Sequence, residues 1–248
     1  MLNIINLNKK YGNSKVLNNI SMNFISGEST AIVGESGSGK TTLAKIIIGL
    51  EKQDSGQVKL NNKELTALKH RSFNQCAKIQ YIFQDPYSAL ENNHTVLKTL
   101  KETTCICKRN NYEYISIKDA LSYADENLLN YLDEKVEVLS GGQKQKLCIA
   151  RSLITNPDII IADECTSMLD EKSSEEIYGL FNKIKKDKNI ILISILHEID
   201  FYKGCWDKIA VFKDGNLLEH KKFKNFHETA ENQYSLKLIE AYKYFKNK

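Results

Sequence analysis

Apolar residues recur along this chain in two rhythms, one of strands and one of helices. Leu2, Ile4 and Leu7 predict a first strand, and Ile20, Met22 and Phe24 alternate with polar residues as a half-buried second strand does. Between them Lys9-Lys10-Tyr11-Gly12 reads as a turn carrying an aromatic. Thr30-Ala31-Ile32-Val33 is a short β-rich run. Leu43, Ile46, Ile47 and Leu50 then fall at i, i+3, i+4 and i+7, the stripe of a helix with one buried face. Ser55-Gly56 marks a turn, Val58 and Leu60 a short strand, and Asn61-Asn62 a tight turn. Residues 79–83 form a compact strand run that stops before Pro86, which pushes Asp85 towards extended geometry.

From about 87 to 138 the pattern changes. The segment is polar and poor in glycine, with helical stretches at 95–102 and 117–132. Beyond it, 158–162 is a continuous apolar run suited to a strand buried on both faces. Ser173 and Glu176 have capping-box spacing, and Ile177, Leu180, Phe181 and Ile184 supply a helical stripe. Residues 190–196 are another apolar strand. Residues 209–212, Asp214-Gly215 and Leu217-Leu218 read as a hairpin with an Asp-Gly turn. The final twenty or so residues read as helical and dispensable to the chemistry. Strands alternating with helices imply an α/β fold with a mainly parallel sheet covered on both faces. The expected organisation is one domain over 1–248. Residues 1–86 and 139–220 form its core, with an antiparallel β subdomain; about 87–138 is an inserted helical subdomain, and 221–248 a helical tail.

Composition narrows the class. Over 248 residues, 42% hydrophobic and 27% charged content is ordinary for a soluble globular protein. A net charge of +4 is too mild to argue for a nucleic-acid partner. No apolar run approaches the ~18 residues of a membrane span. The first six residues lack the basic region and apolar core of a signal peptide, so a cytoplasmic protein is expected. The six cysteines, at 76, 105, 107, 148, 165 and 205, lack C-x-x-C spacing and are expected as reduced thiols.

The chemistry begins at Gly34-Glu35-Ser36-Gly37-Ser38-Gly39-Lys40-Thr41, the G-x-x-x-x-G-K-[ST] phosphate-binding P-loop, followed by Thr42. Its glycines let backbone N–H groups approach phosphate oxygens. Lys40 reaches the terminal phosphates, and the Thr41 hydroxyl is placed for Mg²⁺. The loop lies between a predicted strand and a predicted helix, whose N-terminus favours an anion. Asp163 and Glu164 follow the apolar residues 159–162, at the mouth of the expected sheet. Asp163 is the candidate partner for Mg²⁺ and Glu164 the candidate to polarise an attacking water. Leu139-Ser140-Gly141-Gly142-Gln143 is a second helix start, capped by Ser140 and stripped of side chains by its glycines. One nucleotide does not need two such sites from one chain.

With L-S-G-G-Q at 139–143 and the P-loop at 34–41, nearly the whole chain resembles the ATP-binding-cassette (ABC) ATPases. The resemblance implies ATP and Mg²⁺ as cofactors and a second ATPase subunit, identical or different. The signature residues Ser140, Gly141, Gly142 and Gln143 of one subunit then contact ATP on the P-loop of the other. Two transmembrane permease subunits and an extracytoplasmic substrate-binding protein complete the implied assembly, on the cytoplasmic face of the membrane. By the same resemblance Tyr11 stacks on adenine, its plainer reading being a turn tyrosine packed on a strand. Gln84 approaches Mg²⁺ and the water, Asp170 closes a D-loop Ser167-Met168-Leu169-Asp170, and His197 contacts the γ-phosphate. Departures from the family pattern are Cys165 after the glutamate, Met168 in the D-loop, Lys146 after the signature, and Leu196 and Glu198 around the histidine. Leu139 also lacks the usual preceding proline. The text F-Q-D-P-Y-S-A-L at 83–90 resembles the peptide/nickel importer branch, and the short C-terminus its nickel or metallophore members. A soluble, non-transport ABC ATPase and an importer of another solute class are the alternatives.

Overall fold

The computed structural model describes residues 1–196 and 206–246, with side chains through 241. The chain opens with β1 (Leu2–Tyr11), β2 (Ser14–Phe24), β3 (Ser29–Val33), α1 (Lys40–Ile48), β4 (Ser55–Leu60) and β5 (Lys63–Glu64). It continues through α2 (Phe73–Ala77), β6 (Ile79–Ile82), α3 (Pro86–Ala89), α4 (Val96–Arg109), α5 (Ile117–Ala124), α6 (Gly141–Leu153), β7 (Ile159–Asp163) and α7 (Glu171–Lys188). It ends with β8 (Ile191–Ile195), β9 (Lys208–Lys213), β10 (Asn216–Lys222), α8 (Phe226–Thr229) and α9 (Gln233–Lys246). Residues Met1–Arg71 with Ile191–Lys248 make one unit, and Ser72–Ile190 the other.

In the first unit β2-β1-β4-β5 form an antiparallel sheet. The period-two pattern becomes register: Leu2 lies opposite Phe24, Ile4 opposite Met22 and Leu7 opposite Ile20, all buried. Between Ile4 and Leu7 the register slips, with Asn6 and Asn19 at positive φ, a conformation asparagine tolerates. Gly56 is not in a turn as expected but inside β4 at this irregularity. A Cβ there would sit 2.4 Å from the Asn6 carbonyl oxygen. The second sheet of this unit runs β10-β9-β3-β8, with β3 parallel to both neighbours. Every residue of β3 and β8 is buried. The Asp214-Gly215 turn closes the β9–β10 hairpin with both residues at positive φ, as a two-residue turn of that type requires. Helix α1 buries Leu43, Ile46 and Ile47, each contributing ~1.5–3 kcal/mol. It stops at Gly49 in the left-handed region, so Leu50 falls outside the predicted stripe and is 55% exposed.

In the second unit β6 and β7 pair in parallel, Ile79 beside Ile159 and Ile82 beside Ala162. Helix α6 is the hub, touching β6, α3, α4, α5 and α7. It buries Leu147, Cys148, Ile149, Ala150 and Leu153. Two helix boundaries differ from the sequence expectation. The helix expected over 117–132 breaks at Asp125, which is extended; its carboxylate accepts from the Asn127 N–H and pairs with Lys146 at 3.2 Å. Helix α7 begins a turn before the expected Ser173 cap. Asp170 is its N-cap, accepting from the Ser173 N–H at 2.9 Å and the Ser173 hydroxyl at 2.8 Å. Glu176, free of capping, pairs instead with Lys146 at 2.7 Å.

Candidate functional site

The first unit carries the candidate phosphate loop. Strand β3 ends at Val33 and the chain turns through Gly34, Gly37 and Gly39, all at positive φ, into α1. Two of these glycines are required by contact as well as by dihedral angle. A Cβ on Gly34 would lie 2.1 Å from the Phe212 carbonyl oxygen, and one on Gly39 2.5 Å from that of Val16. Around Gly37 the space is open. The loop is thus pressed against β9 and β2 on one side and leaves its own backbone uncovered on the other. Lys40 is buried, and its ammonium donates to the carbonyls of Gly34 at 2.6 Å and Glu35 at 3.0 Å. The cation is therefore held across the loop. The Ser38 hydroxyl is buried, and none of the described residues meets its oxygen with a hydrogen bond. Ser36 and Thr41 are exposed, and Thr42 is half-buried. Tyr11 ends β1 with its ring 45% exposed and the Lys9 ammonium 4.9 Å from the ring centre. Its hydroxyl is raised above its ordinary value by burial and by a hydrogen bond with Glu51, while the Thr42 hydroxyl opposes this. That places an accessible aromatic beside the start of α1.

The second unit holds the acids. Asp163 is the last residue of β7 and Glu164 follows at φ 46, an uncommon conformation for glutamate that turns the chain sharply off the strand. The Gln84 amide nitrogen donates to a Glu164 carboxylate oxygen at 3.0 Å and to the Ser167 hydroxyl at 3.2 Å. The sequence-predicted pair Gln84 and Glu164 are thus in direct contact, although 80 positions apart. Asp163 has a partner that sequence reading missed: the hydroxyl of Tyr81, on the adjacent strand, donates to its carboxylate. Cys165 is buried, and burial pushes its thiol up to about 12.

The signature residues begin α6. The Ser140 hydroxyl accepts from the Gln143 N–H at 3.3 Å, and the Gln143 side chain accepts from the Ser140 N–H at 2.9 Å. Gln143 therefore turns back onto its own helix. Gly141 and Gly142 lie close to other side chains. Added Cβ atoms would meet the Tyr87 hydroxyl at 3.3 Å and the Ser173 hydroxyl at 3.1 Å. Tyr87 also carries the Lys144 ammonium 4.4 Å from its ring centre, tying the segment after Gln84 to the signature helix. Asp170, assigned to the D-loop, is exposed, and its carboxyl is held below the usual range by the backbone N–H and hydroxyl of Ser173. His197 lies outside the described residues. The tail is helical as expected, and it reaches the loop: the Tyr234 hydroxyl of α9 accepts from the Glu35 N–H at 3.1 Å. Nothing in the local pattern of 233–246 signals that contact.

Known proteins share this arrangement. The family model described as "ABC transporter" matches residues 17–167. The chain is 35% identical over 238 residues to the phosphonates import ATP-binding protein PhnC of Fusobacterium nucleatum, covering 92% of this chain and 95% of that one. It is 34% identical over 216 residues to the metal-staphylopine import system ATP-binding protein CntF of Staphylococcus aureus, covering 86% and 84%. The solved structure of cbiO1 from Clostridium perfringens, part of the ABC transporter complex cbiONQ, superposes with a TM-score of 0.79 at 27% identity, covering 99% and 98%. With a phosphate cradle, an acid-ended strand and a glycine-opened helix start, matched over most of its length, this chain belongs to the ABC transporter family as one of its ATP-binding, ATP-hydrolysing cassettes.

Proposed function

We propose that this chain is the ATP-binding subunit of an ABC importer, peripheral to the cytoplasmic face of a membrane and partnered by separate permease subunits. The observation that supports it best is the presence of two anion-ready backbones in one chain: the loop at 34–42 and the helix start at 140–143. In a head-to-tail pair each subunit's loop meets the other's signature residues across one ATP. The 87–138 segment then serves as the helical subdomain that meets the permease, and an extracytoplasmic binding protein delivers the solute. Among the described residues no helix is long and apolar enough to cross a membrane.

Hydrolysis is the in-line attack of water on the γ-phosphorus with loss of ADP. Glu164, oriented by Gln84, polarises that water, and His197 contacts the γ-phosphate. Lys40 and the loop N–H groups receive the charge that develops on the phosphate oxygens. Tyr11 stacks on adenine and Asp170 lies at the subunit junction. Thr41, Asp163 and Gln84 are the donors for Mg²⁺. All are oxygen donors, which suits a hard cation whose remaining places phosphate oxygens and water would fill. When bound, Mg²⁺ supplies positive charge against the phosphates.

For the solute, F-Q-D-P-Y-S-A-L at 83–90 supports a peptide or nickel/cobalt substrate, free or chelated. The relative named for metal-staphylopine import favours the chelated metal. The relative named for phosphonates, 35% identical and matched over more of both chains, makes another solute class the alternative. Two measurements test the reading. Glu164→Gln is expected to retain ATP binding with turnover reduced about 100-fold or more; near-normal hydrolysis removes the role given to Glu164. Uptake of labelled peptide, nickel and phosphonate in cells with and without the gene separates the solutes, and unchanged uptake of all three defeats the substrate assignment.

A further inference from the structure

We infer that Tyr81 is a positioning residue for the Mg²⁺-dependent step, fixing the Asp163 carboxylate through its hydroxyl. The inference rests on the reading of Asp163 as a Mg²⁺ partner. Strands β6 and β7 run in parallel with Tyr81 beside Ile161, so the tyrosine reaches forward along the neighbouring strand to Asp163, two residues on. The phenol donates to Oδ2 of Asp163. One carboxylate oxygen is thereby committed to a protein donor, and turning it away from the strand end would break that hydrogen bond. The ring itself is held: it packs edge-on against Phe83, with centroids 4.8 Å apart. Outer partners of metal-binding side chains set ligand orientation, and their loss typically weakens metal affinity or activity about 10–100-fold. A tyrosine in this role is expected to act on the metal term and not on nucleotide capture, because the loop at 34–42 lies on other elements.

The experiment compares Tyr81→Phe, Asp163→Asn, Phe83→Leu and wild type by fluorescence titration with a labelled ATP analogue, in EDTA and across a Mg²⁺ series. Thermal denaturation checks folding. Tyr81→Phe removes one oxygen and keeps the ring. It is expected to bind the analogue in EDTA as wild type does, with its Mg²⁺ half-saturation raised roughly tenfold. Phe83→Leu loosens the ring packing but keeps the hydroxyl, and should shift the Mg²⁺ half-saturation less than Tyr81→Phe does. An impaired Asp163→Asn beside a wild-type-like Tyr81→Phe overturns the role of Tyr81. A Phe83→Leu shift equal to that of Tyr81→Phe overturns it too, since packing alone would then account for the effect. A wild-type Mg²⁺ response in Asp163→Asn overturns the reading of Asp163 and the inference with it.

Discussion

Single residues here are set by burial as much as by chemistry. Cys165 occupies the position after the proposed catalytic glutamate, and Cys148 lies on the signature helix beneath it in the same core. Burial pushes their thiols up to about 12 and about 11, so both stay protonated at neutral pH, and thiolate forms only in strong alkali. Cys105 is exposed on α4. At pH 8 a thiol reagent should therefore modify Cys105 in the folded protein, and Cys148 and Cys165 only after denaturant is added. Mass spectrometry of the labelled peptides reads this directly; rapid native labelling of Cys165 would contradict its burial. The same contrast explains what the sequence made legible at this scale. Gln84, Asp163, Glu164 and Lys40 were visible because their chemistry needs their residue types at motif spacing. Tyr81 was not, since its value comes from register with β7, which no local pattern encodes. Glu164 at positive φ was equally hidden, because glutamate carries no sign of that geometry.

Elements were legible where one periodicity governed them. The buried strands β3, β7 and β8 and the stripe of α1 follow their apolar patterns closely. Boundaries failed where a short polar side chain competed for the backbone, as Asp170 does at α7 and Asp125 does after α5. The contact of α9 with the phosphate loop escaped because it joins residues 199 positions apart. The loop itself carries a graded prediction. Gly37→Ala meets open space and should cost only the backbone strain of its positive φ, ~1–2 kcal/mol. Gly34→Ala and Gly39→Ala add collisions with the carbonyl oxygens of Phe212 and Val16, backbone atoms that cannot step aside, and should cost a further ~1–3 kcal/mol. Urea unfolding of the three variants should rank Gly37→Ala as mildest. The two others should also lose ATP binding, because relieving either clash moves the loop off its support. Equal destabilisation in all three would mean that the packing of the loop on β2 and β9 does not matter.

At the scale of the whole molecule, the proposed assembly shares each site between chains, and that has a consequence testable without a structure of the pair. Lys40→Ala damages the loop of every subunit that carries it. Gly141→Asp damages the signature end instead. A Cβ there would meet the Tyr87 hydroxyl at 3.3 Å, a movable group, and a Leu169 methyl at 3.6 Å, an ordinary contact, and an acid in the first turn of α6 favours the helix. The variant should therefore fold and bind ATP on its own loop, yet present a carboxylate where a partner's phosphate has to approach. Each variant alone is expected to be inactive, since every site in its pair contains one defect. In a mixed pair both defects fall in one site, and the other combines an intact loop with an intact signature. Mixing the two proteins should restore activity, on the order of a quarter of the wild-type rate when pairing is random and the sites act independently. A site contained in one chain cannot be repaired by mixing. A wild-type protein that hydrolyses ATP by itself, beside two variants that stay inactive together, would rule out the shared site between identical copies.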